Sequence, residues 1–174
     1  MDKPRLSNKI RVVSNRKKAA SCTEKRLGFY AGYATTVSQT LRKPLFQRFL
    51  HWILKREEIE KRDVKDIQIR VFPFQKENGK FLAGRCNVDG VIRVFPKRWA
   101  FIQEKLRNHK KENIKTYVRR RAMATLIHEI LHVKYEGDEG KVRQLTEKYF
   151  KIFMHHQNQD VLSTQNIQKM FFAF

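Results

Sequence analysis

Ile114–Tyr135 reads IKTYVRRRAMATLIHEILHVKY, and the rest of the chain is best understood around it. Ile114, Val118, Ala122, Leu126 and Ile130 recur at every fourth position, and Met123, Ile127 and Leu131 widen the stripe. Apolar side chains at that spacing share one face of an α-helix, so a long core helix is expected from Glu112 to Tyr135. Inside it, His128-Glu129-Ile130-Leu131-His132 is an HExxH motif. Residues four apart stand one above the other on a helix, so two imidazoles can converge on one tetrahedral cation. Glu129 lies about 100° further round, where it reaches a water beside that cation without ligating it. Two incidental histidines on a core helix are the plainer alternative.

A zinc site of this kind needs a third protein ligand and an open fourth position. The HxxGxxH extension is absent, because Tyr135 takes the glycine position and no third histidine follows. The inverted HxxEH motif is absent as well. The carboxylates downstream are Glu136, Asp138, Glu139 and Glu147. Glu136 is read as the solvent-facing end of the helix, and Asp138 as the N-cap of a next helix carrying Val142, Leu145, Tyr149 and Ile152. Glu139 opens that helix, where a tight turn can swing it back toward His132. Glu147 lies two turns on, level with His128 in an antiparallel pair. Glu139 is preferred, with Glu147 and Asp138 left open, and Zn2+ is the expected cofactor.

Upstream, the hydrophobic period changes. Asp66–Phe74 (DIQIRVFPF) alternates as a half-buried strand, and Lys80–Asn87 and Val91–Phe95 flank Asp89-Gly90, a hairpin turn signal. Pro96 starts a helix with Trp99, Ile102 and Leu106. Earlier still, Leu27, Tyr30, Tyr33 (or Ala34), Val37 and Leu41 mark one helix, and Pro44, Leu45, Phe49, Trp52 and Ile53 mark another running to Lys61. Residues 1–20 read as a basic, weakly ordered arm. The C-terminal QKMFFAF is expected to pack back onto the fold. The fold class expected is therefore α+β: a small mixed or antiparallel three-stranded sheet packed on the HExxH helix and the helix after it, preceded by a helical basic region. A basic extension over residues 1–62 and a second domain over residues 63–174 are the expected units.

Of 174 residues, 38 are Lys or Arg and 17 are Asp or Glu, a formal net charge of +21. Residues 1–122 hold all of that excess, and residues 123–174 are neutral. Such an imbalance implies a polyanionic partner, nucleic acid first and DNA before RNA. Arg16, Lys17 and Lys18, with Lys3, Arg5, Lys9 and Arg11, are expected phosphate contacts, as are Lys105, Arg107, Lys110, Lys111 and Lys115. Arg119, Arg120 and Arg121 share the motif helix. Arg121 returns to the face of His128, about 10 Å away, and is expected to guide a polyanion or a substrate carboxylate toward it. Phe29, Tyr30 and Tyr33 read as helix core before a base-stacking platform. No base-reading module has a signature here, so binding is expected to be sequence-independent. Cys22 and Cys86 read as free thiols in a reducing compartment. With no apolar run of about 18 residues and no secretory leader pattern, a cytoplasmic, nucleoid-associated protein without a membrane partner is expected.

From VIRVFP through LIHEILHVKY to VRQLTEKYF, residues 90–150, the chain resembles gluzincin-type zincin metallopeptidases. It is similar to the minimal archaeal minigluzincins, and more loosely to SprT-like and YgjP-like predicted metallopeptidases. The resemblance implies a peptidase domain over 63–174 in which His128, His132 and Glu139 hold zinc and Glu129 is the general base. It also implies a protein or peptide substrate held as an added strand beside Val91–Phe95 or its partner strand. Tyr135, Tyr149, His155 and His156 are candidates for steadying the oxyanion. The SprT-like and YgjP-like patterns usually offer a third histidine where this chain has Asp138 or Glu139. Because the resemblance includes self-blocked members, the alternative is a latent or non-catalytic nucleic-acid-binding protein with a structural zinc.

Overall fold

A single 3-10 turn, Leu6–Lys9, leads into β1 (Ile10–Val13). The short α1 (Arg16–Ala20), α2 (Glu24–Leu41) and α3 (Pro44–Arg56) follow, then β2 (Asp66–Arg70), β3 (Gly84–Cys86) and β4 (Val91–Val94). Three helices complete the order: α4 (Trp99–Asn108), α5 (Lys111–His132) and α6 (Glu139–Asp160). The structure, a computed structural model, describes residues 6–76, 78–108 and 110–160. Lys3, Arg5 and the QKMFFAF segment lie outside the described residues.

The fold is α+β, and its sheet is mixed, in the order β1-β2-β4-β3. β1, β2 and β4 run parallel, and β3 is antiparallel to β4. Among the described residues the sheet has four strands where three were expected. The additional strand, β1, comes from the segment read as a loose arm. It is held by burial of Leu6 and Ile10, by parallel pairing with β2, and by Arg11, which grips Asp66 at 2.6 Å. Lys9 is likewise drawn into the fold, its Nζ donating to the Lys61 carbonyl at 2.6 Å and to that of Val64. Both cations were expected as phosphate contacts, and both have partners within the chain.

Ile10, Ile67, Ile69, Ile92 and Val94 form the inner face of the sheet and join one apolar core with α2 and α5. The boundary expected at residue 62 falls between α3 and β2, and the core runs across it: Phe46, Ile53, Ile130 and Phe153 belong to the same cluster. Tyr30 and Tyr33 are buried in it, and Phe29 packs edge-on against Trp99 at 4.6 Å, as the core reading required.

α3 stops at Arg56, short of the expected Lys61. Glu58 adopts a left-handed conformation (φ 54°), and the Ile59 N–H closes back on the Leu54 carbonyl at 2.9 Å. This is a helix-ending turn that usually carries glycine. The β3–β4 hairpin is as expected: Gly90 has φ 78°, and a Cβ there would meet the Asp63 carbonyl oxygen at 1.9 Å. Among the described residues, no helix is long and apolar enough to cross a membrane.

Candidate metal centre

α5 carries the HExxH motif, buries its apolar stripe against the sheet and ends at His132. After six residues α6 begins, with Asp138 as its cap: the Asp138 Oδ1 accepts from the Lys141 N–H at 2.9 Å. That cap turns the chain back along α5, which sets Glu139 beside His132 and Thr146 beside His128.

Three donor groups meet there. The His128 and His132 Nε2 atoms are 3.1 Å apart. Glu139 Oε1 lies 3.6 Å from the first, and Oε2 lies 3.2 Å from the second. Tetrahedral zinc with bonds of about 2.0–2.1 Å requires ligand atoms about 3.3–3.4 Å apart, so the residues present fit such an ion. The outer contact fits as well. Thr146 Oγ1 donates to the Val142 carbonyl at 2.7 Å and so accepts from His128 Nδ1, 3.3 Å away. This contact assigns the proton to Nδ1 and leaves the Nε2 lone pair facing the shared centre.

The charges suit a cation. Burial and the neighbouring His132 hold His128 below the usual imidazole range, favouring the neutral ligand form. Burial pushes the Glu139 carboxyl up, but the Arg143 hydrogen bond at 2.8 Å and the two imidazoles more than offset it, keeping it ionised. Glu129, 6% exposed, is pushed up to about 7 by burial, with the Cys86 backbone N–H partly offsetting and Glu139 adding to the rise.

The three donors, Glu129 and Thr146 border an open cleft of about 1640 Å³ whose opposite wall is β3 with the loop before it. β3 lies very close to α5 at Gly84. A Cβ on that residue would meet Glu129 Oε1 at 2.6 Å and the Thr125 methyl at 2.7 Å. Cys86 shares the cleft, and burial pushes its thiol up to about 11. Both Cys22 and Cys86 are free, as expected.

Other sequence expectations meet different surroundings. Glu147 is exposed and paired with Lys151 at 2.6 Å, and Asp138 is spent as a cap. Glu136 was read as solvent-facing; it is exposed, yet borders the cleft. Arg121 is not among the cleft residues. Its guanidinium donates to the Phe95 carbonyl at 2.7 Å and to the Tyr33 hydroxyl at 3.3 Å, fastening α5 to the end of β4 and to α2. Helix angle alone placed Arg121 toward His128, but the packed layers intercept it. Arg16, Lys17, Lys18 and Arg120 are exposed, and Arg119 is half-buried.

None of the four oxyanion candidates borders the cleft. The Tyr135 and Tyr149 hydroxyls both donate to the Glu57 carboxylate, while His155 and His156 lie beyond, further along α6. Sequence reasoning missed Thr146, Arg143 and Gly84. Arg143 had a signal, its spacing of four from Glu139; the other two act across elements distant in sequence. Compared with protein-family models, curated proteins and solved structures, nothing matches this chain.

Proposed function

We propose that this protein is a zinc-dependent metallopeptidase held near nucleic acid by its basic surface, with His128, His132 and Glu139 as ligands and Glu129 as general base. The observation that carries the reading is that three donor groups, the His128 and His132 Nε2 atoms and the Glu139 carboxylate, gather within 3.1–3.6 Å contacts on the wall of an open cleft. Among the described residues the group has three donors, not the four of a closed structural site, which favours catalysis over the structural-zinc alternative.

When bound, the cation supplies Lewis-acid chemistry, polarising a carbonyl and making a nearby water more acidic. The protein's own groups do the rest. Glu129, next to His128 but outside the ligand set, accepts a proton from the attacking water and returns it to the leaving amine. Thr146 keeps the His128 ring oriented, and Arg143 keeps Glu139 turned toward the histidines.

The sheet has two edges, β1 and β3, and of these β3 borders the cleft where a substrate strand could add. β4 is paired on both sides, by β2 and β3, whereas β3 is the sheet's last strand and borders the cleft. Of the two strands considered from sequence, β3, the partner of Val91–Val94, therefore takes the substrate role.

The test is zinc quantification with casein cleavage, with and without DNA, for wild type and Glu129→Gln. One zinc per chain in both proteins and cleavage only in wild type are expected. Stoichiometric zinc with no Glu129-dependent cleavage under any condition would remove the peptidase reading.

A further inference from the structure

The sheet has a second face, turned away from α2 and α5. Its register sets Arg11, Gln68, Arg93 and Arg85 side by side across all four strands. Arg70, two residues beyond Gln68 on β2, belongs to the same face and donates to Gln68 Oε1 at 3.2 Å. At a strand spacing of about 4.8 Å, the row spans about 14 Å.

The charge on this face is unbalanced. Within the strands its one carboxylate is Asp66, already taken by Arg11 at 2.6 Å and by Gln68 at 2.8 Å. Arg85 and Arg93 have no carboxylate partner among the described residues. Burial first, and the nearby Arg93 and Arg11 charges second, hold Arg70 below the usual guanidinium range. The basic surface also continues past the sheet at both ends. Lys18 of α1 and Arg70 border one small cavity, and Arg85 borders the large cleft.

Resting on the nucleic-acid-associated reading above, we propose that this sheet face binds the phosphate backbone of single-stranded nucleic acid, which crosses the arginine row from α1 toward the cleft. A flat row of guanidinium groups suits an extended strand better than a duplex, whose grooves are read by a projecting helix or ribbon. Guanidinium planes also stack on unpaired bases. A strand so placed ends at the cleft rim and brings proteins bound to it within reach of β3.

The test is fluorescence anisotropy with a labelled oligothymidylate and its duplex counterpart, over a salt series, for wild type and Arg85→Gln/Arg93→Gln. Each phosphate contact contributes about 0.7 to the log–log salt slope for single strands. The double variant should bind at least about tenfold more weakly at low salt, with a slope lower by about 1.4. Arg85→Lys/Arg93→Lys, which keeps charge but loses the planar fork, should keep the wild-type slope. Unchanged affinity and slope in a double variant that melts like wild type would overturn the proposal. Tighter binding to the duplex, or arginine-dependent binding to phosphatidylserine vesicles without oligonucleotide binding, would also overturn it. Anisotropy needs no cleavage, so wild-type casein turnover judges the peptidase reading separately.

Discussion

Replacing Gly84 with alanine perturbs the proposed site without touching any metal ligand. The added Cβ would stand 2.6 Å from Glu129 Oε1, 2.7 Å from Glu129 Cγ and 2.7 Å from Thr125 Cγ2, where ordinary contact begins at 3.4 Å. Those atoms must separate by about 0.7–0.8 Å to reach ordinary contact. α5 cannot give way as a body, because Leu126, Ile127, Ile130 and Leu131 are completely buried on its inner face. Relief must come from β3 moving outward or from Glu129 swinging aside, and both disturb the proposed general base. Overpacking of this kind costs about 1–3 kcal/mol. For a chain of this size that lowers Tm by roughly 2–12 °C, at about 2–4 °C per kcal/mol. A misplacement approaching 1 Å costs up to about 100-fold in rate. Casein turnover should therefore fall by roughly 10- to 100-fold while zinc remains at one per chain. Wild-type kcat/KM together with an unshifted Tm would refute the claim that β3 and Glu129 are in tight mutual contact.

Thr146→Val should weaken zinc affinity by about 10- to 100-fold, measured by competition with a chromogenic chelator, because His128 loses the partner that orients its ring. Glu58→Gly should raise stability by about 0.5–1 kcal/mol in urea unfolding, since glycine accepts φ 54° without strain; the exposed Lys134 ion pair it gives up is worth little. Glu57 accepts from the Tyr149 and Tyr135 hydroxyls, and these bonds overcome the opposing effect of burial to hold its carboxyl below the ordinary range. A depressed carboxylate contributes stability above its unfolded value and loses it as pH falls through the folded one. Glu57→Gln should therefore flatten the wild-type loss of Tm below about pH 5 and leave the neutral-to-alkaline limb parallel. Arg121→Ala should lower stability by about 1.5–3 kcal/mol in urea unfolding through loss of a charged donor to the Phe95 carbonyl, with oligonucleotide affinity unchanged.

The motif helix was legible, because its i+4 stripe is long and HExxH spacing has a geometric meaning within one element, although it ends at His132 and not at Tyr135. Glu139 was legible as a preference: the capping role of Asp138 is local chemistry, and it fixes where the chain turns back. The hairpin followed from Asp89-Gly90 for the same local reason. β1 was hidden because four residues offer too little alternation to count, and its partner β2 lies more than fifty positions away. Arg121 was misplaced because helix angle fixes a direction but says nothing of what stands in the way; Tyr33 and Phe95 do. The arginine row on the outer sheet face was invisible for a related reason. Arg11, Arg85 and Arg93 sit on separate strands, and only the register brings them together.

Everything proposed for the cleft depends on His128, His132 and Glu139 forming an open zinc centre. Zinc K-edge X-ray absorption on the loaded wild-type protein tests it most directly. Two imidazole nitrogens at about 2.0–2.1 Å are expected, with carboxylate and solvent oxygens completing the coordination, and no sulfur. A sulfur scatterer at about 2.3 Å, which Cys86 in the same cleft could supply, would contradict it, as would a preparation that takes up no zinc.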